Sequence, residues 1–171
     1  MLATDFIIVN GEGYKKVQVK KGLLYGMGVT LRPASNIIFR IYGSYDEAEK
    51  IEEKGIGNLA AFLGYSNHRI SIAGEYNLVL NKAFIEDNNE NGGSIYFTLF
   101  SQNKMSYFGR IDLLKTLNQS ESTKEINFIL GTDFKLNKYI KLSPNLRFIS
   151  SNQSSIKNKT LSFFLNAVFS L

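Results

Sequence analysis

Nearly every stretch of this chain alternates apolar and polar residues with a period of two. In TLSFFLNAVFSL, residues 160–171, Leu161, Phe163, Leu165, Ala167, Phe169 and Leu171 form one row, while Thr160, Ser162, Asn166 and Ser170 dominate the other. In KEINFILGTDFKL, residues 124–136, Ile126, Phe128, Leu130, Thr132, Phe134 and Leu136 oppose Glu125, Asn127, Ile129, Gly131, Asp133 and Lys135. The same holds for RISIAGEYNLVL, IKLSPNLRFIS and NIIFRIYGSY. Successive side chains of a strand point to opposite faces, so a period of two specifies strands with one apolar and one polar face. About ten such segments follow one another. They lie near residues 2–10, 21–32, 36–46, 56–66, 69–81, 93–102, 105–115, 124–136, 139–150 and 158–171. The expected fold class is therefore all-β, an antiparallel up-and-down sheet.

Alternation does not say which face is covered. A soluble barrel buries its apolar rows inside, whereas a membrane barrel turns them out to lipid. Three features favour the membrane version. Most segments are long enough to cross a bilayer at a tilt, about 9–11 residues, whereas ordinary strands are nearer five or six. The polar rows are rich in Gly, Ser and Asn instead of dense Lys and Glu. The links also alternate. Tight ones (PAS, SN, and the NK of QNKMS and of LNKYI) separate longer polar ones (GEGYKKVQVK, DEAEKIEEKG, KAFIEDNNENG, TLNQSEST and SNQSSIK). Short turns at one end and long loops at the other are the pattern of an outer-membrane barrel.

Composition excludes several other classes. The chain has 13 Phe and 9 Tyr, two prolines and no cysteine, so it has neither disulfides nor a thiolate metal site. Its net charge of +5 comes from scattered lysines, with no basic cluster interleaved with aromatics, which argues against nucleic-acid binding. The single histidine, His68, lies in the SNHR turn without a nucleophile arrangement, and no catalytic residues or cofactor are expected. NGEG at 10–13 is too short to cradle a phosphate. DNNENG at 87–92 copies the first half of a calcium loop, but Thr98 stands where the glutamate belongs, and a solvated loop tip is expected instead. The opening LATDFIIVNGEGY has no basic segment ahead of a long apolar core, so it does not read as a secretion signal.

The ordered series VNGEGYKKVQ, GLLYGMGVTLRPASNIIFRIYGSY, LAAFLGYSNHRISIAGEYN, FILGTDFKLNKYIKLSPNLRF and the terminal strand resembles the C-terminal part of Gram-negative outer-membrane porins of the phosphate-selective porin-like type. The resemblance implies a transmembrane β-barrel in the outer membrane, folded by the barrel-assembly machinery; since members are longer and begin with a secretion signal, residues 1–171 are expected to be either a single barrel of about ten strands or the C-terminal part of a larger barrel. It also implies a terminal strand ending in an aromatic residue. Here Phe169 stands two before the final Leu171.

Parity then names the candidate site. With the apolar row in lipid, Ile126, Phe128, Leu130, Phe134, Leu161, Phe163, Leu165 and Phe169 are expected to face outward. The pore lining is expected to hold Arg32, Arg40, Arg69, Arg110, Lys135, Lys141 and Arg147 against Asp46, Glu75, Asp112, Glu125 and Asp133. Seven basic groups against five acids predict a weak anion preference. The plainer alternative, in which these charges simply pair across strands, stays open beside it. Tyr25, Tyr45, Tyr65, Tyr76, Tyr107 and Tyr139 are candidates for interfacial girdles. The expected function is passive diffusion of small hydrophilic solutes, with lipid, solutes or anions, and the assembly machinery as partners and homo-oligomerisation left open. Two alternatives stand beside it: a non-conducting scaffold barrel and a soluble lipocalin-like carrier.

Overall fold

The computed structural model describes residues 1–10, 22–101, 104–117, 122–153 and 156–169. Ten strands follow one another: β1 Leu2–Asn10, β2 Leu23–Ala34, β3 Ile37–Asp46, β4 Ile56–Ser66, β5 Ile70–Leu80, β6 Asn89–Phe100, β7 Met105–Leu117, β8 Ser122–Lys135, β9 Ile140–Gln153 and β10 Ile156–Phe169. They form one sheet in chain order with every neighbour antiparallel, an up-and-down meander. Among the described residues the only helical element is a single 3-10 turn, Lys82–Phe84.

Register fixes which residues share a face. Leu2 lies opposite Leu31, and the row continues through Phe39, Leu63, Gly74, Ile95, Ile111, Phe128 and Phe148 to Leu161. It crosses all ten strands without meeting a polar side chain. On the opposite face the row from Arg40 runs through Phe62, Glu75, Ser94, Asp112 and Asn127. Parity is thus conserved from edge to edge, apart from an irregularity between Leu31 and Ala34 at the end of β2.

The strands differ from their sequence-based bounds mainly at the long-link end. Thr116 pairs with Thr123, and Glu125 with Ser151. The links expected at 116–123 and 151–157 therefore shrink to 118–121 and 154–155. Similarly, β6 begins at Asn89, so only Asp87 and Asn88 of DNNENG lie in a link, and Asn91 and Gly92 already pair with Leu78 and Asn77. Backbone pairing is indifferent to side-chain polarity, which is why polar composition mistook strand for loop. The link 11–21 lies outside the described residues.

β8 and β9 meet in one demanding place. Their ladder runs to Gly131 opposite Asn145 and resumes at Phe134 opposite Leu142, with Pro144, which has no N–H to donate, between. A Cβ on Gly131 would stand 2.8 Å from both the Pro144 carbonyl oxygen and Asn145 Cβ. A Cβ on Gly74 meets only the Ser94 carbonyl oxygen, at an ordinary 3.7 Å. Gly131→Ala should therefore cost about 1–3 kcal/mol through overpacking, whereas Gly74→Ala should be neutral or stabilising by up to about 1 kcal/mol. Urea midpoints of the two variants, folded in the same detergent, check the difference.

Candidate pore-lining face

No ordinary core exists in this sheet. Among the described residues Ala73 is the one buried hydrophobic side chain, and no large side chain is fully buried. The apolar face is the open one: Leu161, Phe163, Leu165 and Phe169 are 62–72% exposed, and Leu130 is 60% exposed. Phe128 is also exposed, and Ile126 and Phe134 on the same face are half-buried. Burial falls mostly on the polar face, although Phe164, Val168 and Leu114 there are 40–47% exposed. Gly26, Gly28, Gly64, Ala73, Ser143 and Asn145, all on that side by register, are buried. Small residues become inaccessible on an uncovered sheet when taller neighbours lean over them, and on the apolar face this happens at Gly109, beneath the Phe97 ring.

Three polar clusters lie on this face. In the first, Arg40 of β3 reaches over β2 to Asp5 of β1: Nη2 donates to Oδ2 at 2.9 Å, and Nη1 lies 2.8 Å from Oδ1 while donating to Thr30 Oγ1 at 2.7 Å. Neighbouring strands are about 4.8 Å apart, so a contact that skips one needs a long side chain above a short one. Gly28 supplies the gap, since a Cβ there would stand 2.7 Å from Asp5 Oδ2.

The second cluster is centred on Asp112 in β7. Its Oδ1 accepts from Ser94 Oγ and from Arg110 Nε, both at 2.6 Å, and its Oδ2 accepts from Asn127 Nδ2 at 3.1 Å. Arg110 Nη2 also lies 3.8 Å from Glu75 Oε1, and the guanidinium sits 5.7 Å from the centre of the Tyr96 ring. Four strands, β5 to β8, are tied together in this way.

The third cluster spans β8 to β10. Asp133 accepts from Ser143 Oγ at 2.5 Å and from Lys141 Nζ at 3.2 Å. Asn145 Nδ2 donates to the Ser143 carbonyl, and Arg147 Nε donates to Asn145 Oδ1, both at 3.1 Å. The Arg147 guanidinium lies 4.5 Å over the Phe164 ring, and among the described residues no carboxylate pairs with it.

The sequence-derived lining is thus brought together in its centre and scattered at its ends. Arg40, Glu75, Arg110, Asp112, Asp133, Lys141 and Arg147 share the face, with Asp46 and Glu125 at matching parity. Arg69 instead falls in the exposed link 67–69, Arg32 sits at the β2 irregularity, and Lys135 is the exposed last residue of β8. Two acids were missed. Asp5 and Glu90 lie on the polar face, so five acids become seven, against the four bases Arg40, Arg110, Lys141 and Arg147, and the basic excess expected from the sequence is not found. Parity alone could have found Asp5, which alternates out of step with Leu2, Phe6 and Ile8.

Of the tyrosines, Tyr25 and Tyr45 lie side by side toward the long-link end of the apolar face, and Tyr65 and Tyr107 toward the short-link end. Tyr76 sits nearer mid-strand opposite Gly93, and Tyr139 lies in the link 136–139. The apolar face also carries a depression of about 660 Å³ where Gly74 and Gly93 leave room between Leu63, Tyr76 and Ile95.

The clusters differ in weight. The side chains of Asp5 and Arg40 are 41% and 36% exposed, so solvent screens their pairing. Asp112 is less exposed, at 23%, and gathers three hydrogen bonds. Asp112→Ala should cost about 2 kcal/mol and Asp5→Ala less, read as shifts of the urea midpoint.

Compared with known protein families, curated proteins and solved structures, the chain matches none.

Proposed function

We propose that this chain forms a barrel wall in an outer membrane and that its polar face lines a path for passive diffusion of small hydrophilic solutes. The observation that carries the reading is the inversion of burial: the largest exposed Phe and Leu side chains stand on the apolar face, while most of the buried residues, Ser143 and Asn145 among them, lie on the polar one. Burying apolar surface is worth about 25 cal/mol per Å², and nothing among the described residues covers this face, so an apolar solvent suits it as a partner. Lipid is such a solvent, and tyrosines near both ends of the band suit the headgroup layers. A soluble carrier would bury the Phe and Leu rows that here stand exposed.

A wet interior also fits the polar face. Asn58 Oδ1 and Asn127 Oδ1 are buried there with no protein partner. Buried polar atoms are costly unless hydrogen-bonded, and water in a lumen would supply the bonds. Arg40, Arg110 and Lys141 each carry a carboxylate partner. With the basic excess gone, a weak anion preference would rest chiefly on Arg147, which among the described residues pairs with no carboxylate.

One observation favours the scaffold reading instead. Phe62, Tyr96, Phe108 and Phe164 stand on the same face as the charges, and side chains of this size can fill a narrow barrel. Conductance decides between the two. In planar bilayers the full chain should conduct with a reversal potential slightly on the anion side across a salt gradient. Arg147→Glu should move that potential toward cations, more at 0.1 M salt, where charges reach about 10 Å, than at 1 M, where they reach about 3 Å. An inserted, folded chain that passes no current would eliminate the pore and promote the scaffold.

A further inference from the structure

β1 and β10 each pair on one side only, and they are the two free edges of the sheet. We infer that these edges are mates, with the second half of β10 pairing antiparallel to β1 so that Leu165 lies opposite Ile8. The inference rests on the membrane reading for its driving force, because hydrocarbon has no water to satisfy an open ladder edge and each unpaired peptide group there costs several kcal/mol. The partner and the register come from the sheet itself.

The apolar band slides along the strands as it crosses the sheet. Leu2 of β1 is level with Leu161 of β10, and Phe6 is level with Lys157. In β1 the outward apolar side chains continue from Leu2 toward Asn10, through Phe6 and Ile8. In β10 they continue from Leu161 in the opposite direction, through Phe163 and Leu165 to Phe169. One register row therefore marks one border of the band at β1 and the other border at β10. A band that is level in a membrane must be drawn on strands that tilt. In a closed barrel such a row returns to its first strand displaced by a fixed, even number of residues.

The displacement that brings the two ends of the band level is about ten residues, one per strand. At about 3.3 Å per residue and 4.8 Å per strand it corresponds to a tilt of about 35°, within the range of closed barrels. It sets Leu165 beside Ile8, Ala167 beside Phe6 and Phe169 beside Thr4 on the outer face, with Phe164 beside Val9 and Asn166 beside Ile7 on the inner. An even displacement keeps every side chain on its own face, and strands one and ten already run antiparallel. No proline interrupts β1 or β10, and the two lysines of β10, Lys157 and Lys159, lie in its first half, outside the residues this pairing uses.

Because the chain has no cysteine, disulfide mapping has no background. Ile8→Cys is combined in turn with cysteine at Leu161, Phe163, Leu165, Ala167 and Phe169. Each full-length double variant is folded into vesicles and oxidised, with Leu59→Cys/Leu78→Cys, a pair in established register, as the control for folding. The expected result is an intramolecular, reducible disulfide whose yield is greatest at Leu165 and falls at least several-fold toward Leu161 and Phe169. A maximum at another position overturns the proposal, as do disulfides only between two chains, or none while the control forms. Conductance of the same vesicles separates this from the pore reading. Current without the disulfide removes the mating of edges and leaves the pore, whereas the disulfide without current supports the mating of edges and removes the pore.

Discussion

Everything in this molecule hangs on an antiparallel ladder that carries side-chain parity through nine successive pairings. A slip of one residue in any of them would carry charges to the apolar face and phenylalanines to the polar one. No hydrophobic core stands behind the ladder to repair such an error, since Ala73 is the one buried apolar residue described. Register is instead specified from both sides. The polar face locks it with contacts between neighbouring and next-neighbouring strands, and the apolar face demands a continuous greasy surface for whatever solvent covers it.

The polar clusters follow from that arrangement. A long side chain can reach over a neighbouring strand only where that strand presents a small residue, as Gly28 does beneath Arg40 and Ser94 beneath Arg110. Charges that would be costly alone are thereby paired within the wall itself. The face is rich in charge, much of it is paired, and its electrostatic character falls to the groups left over, Arg147 among them. The same pairing ties β1 to β3 and β5 to β8, so the groups that would shape a lumen also hold the wall together.

Much of this was legible in the sequence, because a period of two survives any uncertainty about where a strand ends. β1 and β4 fall where the alternation put them, and the outward Phe and Leu rows of β8 and β10 share the predicted face. Two things were not legible. The ladder extends through polar residues such as Thr116, Glu125 and Ser151, where composition resembles a loop and only the hydrogen-bonding partner reveals a strand. Charge pairing was hidden as well, because Asp5 and Arg40 are 35 residues apart and meet only once β1 and β3 flank the same glycine. Counting charges on one face gave an excess of bases, and the missing acids came from strands whose polar row holds little else.

The central claim is that alternate residues of one strand live in different solvents, lipid on one side and a polar interior on the other. It can be measured directly because the chain contains no tryptophan. Single tryptophans would replace Phe128 and Ile129 in β8, and Phe148 and Ile149 in β9. These adjacent apolar residues face opposite ways and differ little in hydrophobicity. In vesicles whose acyl chains carry bromine, fluorescence should be strongly quenched for Phe128→Trp and Phe148→Trp and spared for Ile129→Trp and Ile149→Trp. Equal quenching at both parities, or the reverse pattern, would contradict the account.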